Sequence, residues 1–309
     1  MPGRSPWPFS RRAAGPAFAA PAAFAAGAAV ILSGAVIALA AGCARRTPPR
    51  QAILIVLDAA RPDFFSTYGW PKPTTPEIDR LAAEGAVFLN AYSLGTETRA
   101  ALPRLLYSRY FAPEIFPNHH SIPYADPRRL FLKVDDRAVS LPRALEERGV
   151  LTGAVSAHEW LTVQTPFARE FLEFRDLRSE LPFDPKYATP RADKVVDAAL
   201  EWLEKNKGRD YFLYLHLMDT HFPHYFEEDA AALYGRGRYE GEAFTPMGLP
   251  KDIARELTAE DRKYFDALYG GGLRYADREV GRLAAALRKW RRLDDTLLVI
   301  TSYHGEFLM

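Results

Sequence analysis

Apolar runs of strand length alternate along this chain with stretches in which apolar positions recur at helical spacing. Ala52 to Leu57 is a continuous apolar run, the pattern of a strand buried on both faces. Val87–Tyr92, Val150–Ser156, Tyr211–Leu217 and Thr296–Thr301 are further strand-length runs. Between them, Thr75-Pro76 reads as the cap and first residue of a helix. Ile78, Leu81 and Ala82 share one face of that helix, and Gly85 suits its stop. Ser140–Arg148, closed by Gly149, forms another helix. Thr189-Pro190 opens a long one with Val195, Val196, Ala199, Leu200 and Leu203 inward. Leu273, Ala276, Val280, Leu283, Ala284 and Leu287 mark the last amphipathic helix. Such alternation predicts an α/β fold with a mostly parallel central sheet and helices on both faces. Residues 105–135 and 222–262, rich in Pro, aromatics and charge, read as long surface excursions that build substrate pockets.

Ligands of such sheets bind beyond the carboxyl ends of the strands, so the polar residues that follow each strand are the ones to weigh. Asp58 follows Leu57 directly; it is a hard oxygen ligand for a divalent cation or, equally, a helix cap. Thr98, in Gly95-Thr96-Glu97-Thr98-Arg99, either caps a loop or begins a helix whose free N–H groups hold an anion. A metal on its oxygen would favour the alkoxide and make it a nucleophile. His216, His221 and His224 crowd one stretch after a strand, three of the seven histidines in the chain. Histidine ligates metals or donates to an anionic oxygen or leaving group, although His224 reads better as a satisfied core or surface residue. His304 follows the final strand and could complete a metal shell with Asp58 and Thr98.

Composition narrows the setting. Lys plus Arg number 40 and Asp plus Glu 39, a net charge of +1, and no basic stripe with interleaved aromatics exists; nucleic acid is not an expected partner. Length suffices for one large α/β domain or two small ones. The single cysteine, Cys43, excludes an internal disulfide and closes an apolar leader from Ala17 to Gly42, preceded by Arg4, Arg11 and Arg12. Leu39-Ala40-Ala41-Gly42-Cys43 is similar to a bacterial lipoprotein processing site, with Cys43 as the lipidated thiol, although the leucine stands four places before the cysteine instead of three. A transmembrane anchor or a cleaved export signal fits the same stretch. All three readings give a leader over 1–43, a Pro-rich linker over 44–50, and a domain over 51–309 outside the cytoplasm, tied to the membrane in two of them.

Taken in order, five segments resemble the sulfatase family of the alkaline-phosphatase superfamily and its phosphotransferase relatives. They are ILIVLDAARPDFFSTYG (53–69), TTPEIDRLAAEGAVFLNAYS (74–93), 141–156, 191–223 ending in HLMDTHFP, and 268–305 ending in TLLVITSYHG. The resemblance implies a central sheet between helices and one divalent metal ion, whether Zn, Mn, Mg or Ca. It implies a phosphate- or sulfate-ester substrate with a lipid or glycan as its organic part. Asp58 matches the first metal carboxylate, Thr98 the nucleophile, and His221 the histidine at the phosphate or sulfate. Asp58, Thr98 and His304 are the implied metal ligands, with His158 and Arg99 beside His221 at the substrate. Relatives with Cys or Ser in place of Thr98 oxidise it to formylglycine, which a threonine cannot become because its β-carbon bears a methyl group. The threonine form resembles phosphoethanolamine and phosphoglycerol transferases, which pass through a phospho-threonine.

Four departures bear on activity. Tyr303 replaces the family aspartate before His304, Ala59 a second metal aspartate, Ala157 a substrate lysine, and Leu102 an arginine. The family also continues into further strands and a small C-terminal subdomain. Three functions are therefore in play: a phosphate- or sulfate-ester hydrolase or transferase acting through Thr98, a catalytically impaired relative or gene fragment, and a true sulfuric-ester hydrolase.

Overall fold

A computed structural model describes residues 50–108, 139–184, 186–225, 233, 239, 241 and 256–306. They belong to one compact unit, Pro49–Met309. Among the described residues no helix is long and apolar enough to cross a membrane. The leader, Cys43 and most of the first excursion lie outside the described residues.

Five strands form one sheet: β1 (Gln51–Leu57), β2 (Leu151–Ser156), β3 (Glu173–Asp176), β4 (Tyr211–Leu217) and β5 (Thr296–Thr301). Their order is β3-β2-β4-β1-β5 and every pairing is parallel. Among the described residues six helices accompany them: α1 (Pro76–Glu84), α2 (Thr98–Tyr107), α3 (Leu141–Glu146), α4 (Leu177–Glu180), α5 (Ala192–Lys205) and α6 (Ala259–Lys289).

The alternation of strand side chains divides the core in two. Ile53, Ile55 and Leu57 of β1 and Leu213, Leu215 and Leu217 of β4 pack on α5, α6 and Ile78 of α1. Leu54, Val56, Phe212 and Tyr214 point to the opposite face, where Leu102 and Leu106 of α2 cover them with Phe167 and Phe171. Burial on both sides is why these strands read as unbroken apolar runs. Each such side chain contributes about 1.5–3 kcal/mol.

The close packing leaves no room for a methyl at two glycines. A Cβ on Gly153 of β2 would fall 2.6 Å from the Trp202 ring. One on Gly272 of α6 would fall 2.0 Å from the Asp219 carbonyl oxygen. The second contact seats the middle of α6 against the loop that follows β4.

Two expectations need correction. Val87–Tyr92 is irregular and exposed, with Phe88 73% and Tyr92 83% accessible. Its strand propensity finds no pairing partner among the described residues, and an unpaired strand leaves its amides unsatisfied. The helix expected from Thr189-Pro190 begins at Ala192, because its cap comes from a distance: Asp219 Oδ2 accepts from the Ala192 N–H at 2.9 Å. Two boundaries also move. Residues 105–107 finish α2, and α6 starts at Ala259 behind a capping box of Thr258 and Asp261. The four-residue edge strand β3 was not read from the sequence.

Candidate functional site

The carboxyl ends of β1, β2, β4 and β5 bring Asp58, His158, His216, Tyr303 and His304 together, and the first turn of α2 adds Thr98. All six are at least 93% buried, Asp58 and His216 completely.

Asp58 owes its aim to a pinned turn. Ala59 adopts φ 58°, a conformation that L-residues seldom hold without support. The support is a ring of hydrogen bonds. Thr220 Oγ1 donates to the Asp58 carbonyl at 2.5 Å, and the Tyr269 hydroxyl donates to the Ala59 carbonyl at 2.8 Å. The Ala60 N–H donates to Ser302 Oγ at 3.1 Å, and the Arg61 N–H to the Tyr269 oxygen at 2.7 Å.

The two oxygens of Asp58 meet different surroundings. Oδ2 lies 2.9 Å from the Tyr303 hydroxyl, which donates to it. It also lies 3.1 Å from His216 Nε2 and 3.2 Å from His158 Nε2. The His158 tautomer follows from its other nitrogen: Nδ1 accepts the Trp160 backbone N–H at 2.8 Å, so the neutral ring carries its proton on Nε2 and donates. Tyr214 Oη lies 2.7 Å from His216 Nδ1; with the phenol donating there, His216 also donates from Nε2. Oδ2 is thus saturated with donors. Oδ1, fully buried, has no hydrogen-bond partner among the described residues, and His304 Nε2 stands 3.3 Å away.

His304 has the opposite tautomer. Its Nδ1 lies 2.9 Å from the Gly305 carbonyl, which can only accept, so the proton is on Nδ1 and Nε2 presents a lone pair. Thr98 Oγ1 sits 3.1 Å from that nitrogen, 3.0 Å from the Tyr303 hydroxyl and 3.4 Å from His158 Nε2. An anionic oxygen and an imidazole lone pair therefore face the Thr98 hydroxyl, which can donate to that lone pair.

Electrostatics agree with this division. Burial by itself raises the Asp58 carboxyl, but the hydrogen bonds from His158 and His216 outweigh it and hold the group well below the usual carboxylate range. Burial lowers His216 to about 4 despite the Asp58 hydrogen bond, keeping the ring neutral. Burial and then the Asp58 charge push the Tyr303 phenol well above its ordinary value, so it serves as a neutral hydroxyl.

The residues fit a divalent cation on two counts. Asp58, His158 and His216 bring three ligand-type atoms within 4.8 Å of one another. The orphaned Oδ1 beside the His304 Nε2 lone pair is the better-prepared set, since it needs no proton removed from an imidazole. His158, expected to face the substrate, lies against Asp58. His221 stands at the rim, its ring centroid 6.5 Å from that of His158 and its Nδ1 2.6 Å from the Phe222 carbonyl. Arg99 is the second residue of α2, and its side chain is outside the described residues. His224 is buried against Phe265 and Tyr269, as a core residue, but its Nδ1 has no hydrogen-bond partner among the described residues, so it is not the satisfied histidine expected.

The sequence reading assigned no role to His216 or Tyr303. The signal for His216 was available: in β4 the alternation that turns Phe212 and Tyr214 to one face turns His216 the same way.

Comparison with known proteins gives one family and one fold. The family model described as Sulfatase matches residues 50–309. N-acetylgalactosamine-6-sulfatase of Canis lupus familiaris is 23% identical over 307 residues, covering 88% of this chain and 53% of that protein. Arylsulfatase A of Bos taurus is 45% identical over 69 residues, 21% of this chain and 13% of that protein. The chain spans about half the length of N-acetylgalactosamine-6-sulfatase. The zinc complex of the C-terminal periplasmic domain of EcEptC from Escherichia coli superposes with a TM-score of 0.57 at 20% identity, over 84% of this chain and 65% of that one. Phosphonate monoester hydrolase of Agrobacterium radiobacter gives 0.59 at 19%, over 83% and 62%. A protein of the alkaline-phosphatase superfamily from Vibrio parahaemolyticus gives 0.55 at 14%, over 85% and 56%. At these identities the structural likeness establishes the fold.

Proposed function

The chain belongs to the sulfatase family, and from that premise we propose that it is a metal-dependent hydrolase or transferase of phosphate or sulfate esters with Thr98 as the nucleophile. The observation that supports this reading is the placement of an unpartnered, buried Asp58 Oδ1 beside the His304 Nε2 lone pair and the Thr98 hydroxyl bonded to it. Asp58, Thr98 and His304 would hold one divalent ion. When bound, the ion supplies positive charge that favours the Thr98 alkoxide. One carboxylate with imidazole is a donor set suited to zinc, more than the all-oxygen shells that calcium and magnesium prefer.

In the reaction, Thr98 Oγ1 attacks the phosphorus or sulfur of the ester. The bond to the leaving oxygen breaks, Thr98 loses its proton, and the leaving oxygen gains one. His221 at the rim is the group positioned to donate it in its protonated form. The N-terminal end of α2 stabilises the charge on the non-reacting oxygens. Water or an acceptor alcohol then displaces the group from Thr98. The Tyr303 hydroxyl positions the nucleophile and fixes which Asp58 oxygen stays open. The organic part of the substrate is a glycan or lipid, and the leader over 1–43 delivers the domain outside the cytoplasm, with Cys43 as a lipid attachment point. Thr98 favours phosphoryl over sulfuryl chemistry, because it cannot become a formylglycine aldehyde.

A second reading, an impaired relative, draws support from the neutral Tyr303 hydroxyl bonded to Asp58 Oδ2, where a carboxylate would have added charge. One experiment separates the two. Purified full chain with added Zn²⁺ or Mn²⁺ should cleave an aryl phosphate and yield a Thr98 adduct on peptide mass spectrometry. Thr98→Ala should lose both. Turnover that survives Thr98→Ala would remove the nucleophile, and no bound metal at micromolar supply favours the impaired reading.

A further inference from the structure

Thr220 lies between Asp58 and His221, and the chemistry above gives it no part. It is buried, and its Oγ1 donates to the Asp58 main-chain carbonyl at 2.5 Å. The Asp58 N–H donates to the Leu217 carbonyl at 2.9 Å. Both main-chain groups of Asp58 are therefore held by β4 and the turn that leaves it. The next residue of that turn is His221, whose N–H donates to the Met218 carbonyl at 3.0 Å and closes it. One hydroxyl thus joins the carboxylate residue to the turn that carries the rim histidine.

That turn is a firm support. Asp219 Oδ1 meets Arg191 Nε at 2.7 Å, and its Oδ2 takes the Ala192 N–H at 2.9 Å. The Arg191 guanidinium carbon in turn lies 3.7 Å from the ring centre of Tyr275 on α6 and 4.8 Å from that of Tyr187. Gly272 of α6 admits the Asp219 carbonyl where a side chain could not stand. The starts and flanks of α5 and α6 fix the turn from behind, and Thr220 passes that fixity to Asp58. Asp58 has need of it. Ala59 is held at φ 58°, a strained conformation, so the Asp58–Ala59 peptide gains by rotating away from it. Thr220 grips the carbonyl of that peptide, and a rotation there would carry the Asp58 carboxylate out of its aim.

We propose that Thr220 is a positioning residue: its hydroxyl aims the Asp58 carboxylate at the ion and keeps His221 at a fixed separation from it. The proposal rests on the reading that esters react at Thr98 with His221 as the proton donor. Thr220 itself touches neither ion nor ester. Without its hydroxyl the Asp58 carbonyl loses its donor, the peptide turns, and the metal carboxylate and the rim imidazole are no longer braced against each other.

The test uses the full chain with Thr220→Val, which keeps the shape, Thr220→Ala, and Thr220→Ser, which keeps the hydroxyl. Circular dichroism checks that each is folded. Zinc affinity by calorimetry should fall about 10–100-fold in the Val and Ala variants and recover in the Ser variant. Turnover is compared for two esters: 4-nitrophenyl phosphate, whose leaving oxygen departs readily without a proton, and phenyl phosphate, whose leaving oxygen needs one. The kcat/KM ratio of phenyl over 4-nitrophenyl phosphate should fall roughly tenfold in the Val and Ala variants and recover with Ser. A purely structural role would lower both esters together and leave the ratio alone. Unchanged zinc affinity in a folded variant overturns the proposal, as does an unchanged ester ratio in a working enzyme. Unfolding of both the Val and Ala variants overturns it too, because the hydroxyl would then serve the fold alone. If no ester turns over in the parent chain but zinc affinity follows the hydroxyl, the Thr98 reading fails and the tie to Asp58 stands. If esters turn over through Thr98 and neither readout follows the hydroxyl, the positioning role fails and the Thr98 reading stands.

Discussion

Asp219 and Asp58 are both buried carboxylates at the carboxyl edge of one sheet, and they are finished differently. Asp219 Oδ1 meets Arg191 Nε at 2.7 Å and Oδ2 takes the Ala192 N–H at 2.9 Å, so both oxygens are occupied. Asp277 repeats the pattern, receiving the Glu77 and Ile78 N–H groups on its two oxygens at 3.1 and 2.8 Å. Asp58 crowds three groups onto Oδ2 and leaves Oδ1 bare. A carboxylate that holds a helix start in place closes its valences within the protein. One kept for an ion cannot, and the fold bears the cost of an open buried acceptor.

If that contrast is right, the largest stability loss belongs to the closed carboxylate. Asp219→Ala strands the buried Arg191 charge and uncaps α5, and should cost about 3–5 kcal/mol in denaturant unfolding. A loss below 1 kcal/mol would mean that the pair is not closed. Tyr303→Phe removes a donor to Asp58 and a neighbour of Thr98. Zinc affinity measured by calorimetry should fall about 10–100-fold, the usual effect of deleting a group that orients a metal ligand. Unchanged affinity would detach Tyr303 from the site.

His224 is an open group with no anion beside it: its Nδ1 is unpartnered among the described residues, and burial, then the neighbouring His221, lowers it to about 3. Its folded value lies below the unfolded value near 6.5, so the stability it gives is present above pH 6.5 and is lost as pH falls toward 3. Between pH 7.5 and 5 this amounts to about 2 kcal/mol. His224→Phe should flatten that limb of the stability curve, and an unaltered slope would place the acid sensitivity elsewhere.

Asp58→Asn should give the smallest change in stability, within about 1 kcal/mol for metal-free protein. The new amide keeps an acceptor for the Oδ2 donors and turns its N–H toward the His304 lone pair. Zinc binding should vanish in the same variant. A stability loss as large as that of Asp219→Ala would erase the distinction between the two carboxylates.

What the sequence revealed followed burial. The runs at 52–57 and 211–217 are apolar because both faces of β1 and β4 are covered, so their position and type could be read directly. Thr296–Thr301 could be read too, although β5 is an edge strand with Leu297 half exposed. Glu173–Asp176 is four residues with little periodicity, and its pairing with β2 is a tertiary event. Val87–Tyr92 carried the opposite error: strong local propensity with no strand to join. Asp58, Thr98 and His304 could be chosen because each follows a strand or opens a helix. Their tautomers and open valences could not, since these depend on Trp160, Gly305 and Tyr303 arriving from other parts of the chain. Tyr303 looked like a damaged ligand in the sequence; in three dimensions its hydroxyl bonds both Asp58 and Thr98.

The contact between Gly272 and the Asp219 carbonyl makes α6 a remote gauge of the rim of the site. Gly270, Gly271 and Gly272 sit in the middle of a 31-residue helix, where each glycine weakens local helicity by about 1 kcal/mol relative to alanine. That stretch stays wound because it leans on the loop carrying Asp219 and His221. Amide exchange in the following turn of α6 should therefore slow when an occupant steadies the loop, reporting events at the rim through a backbone that never meets the occupant.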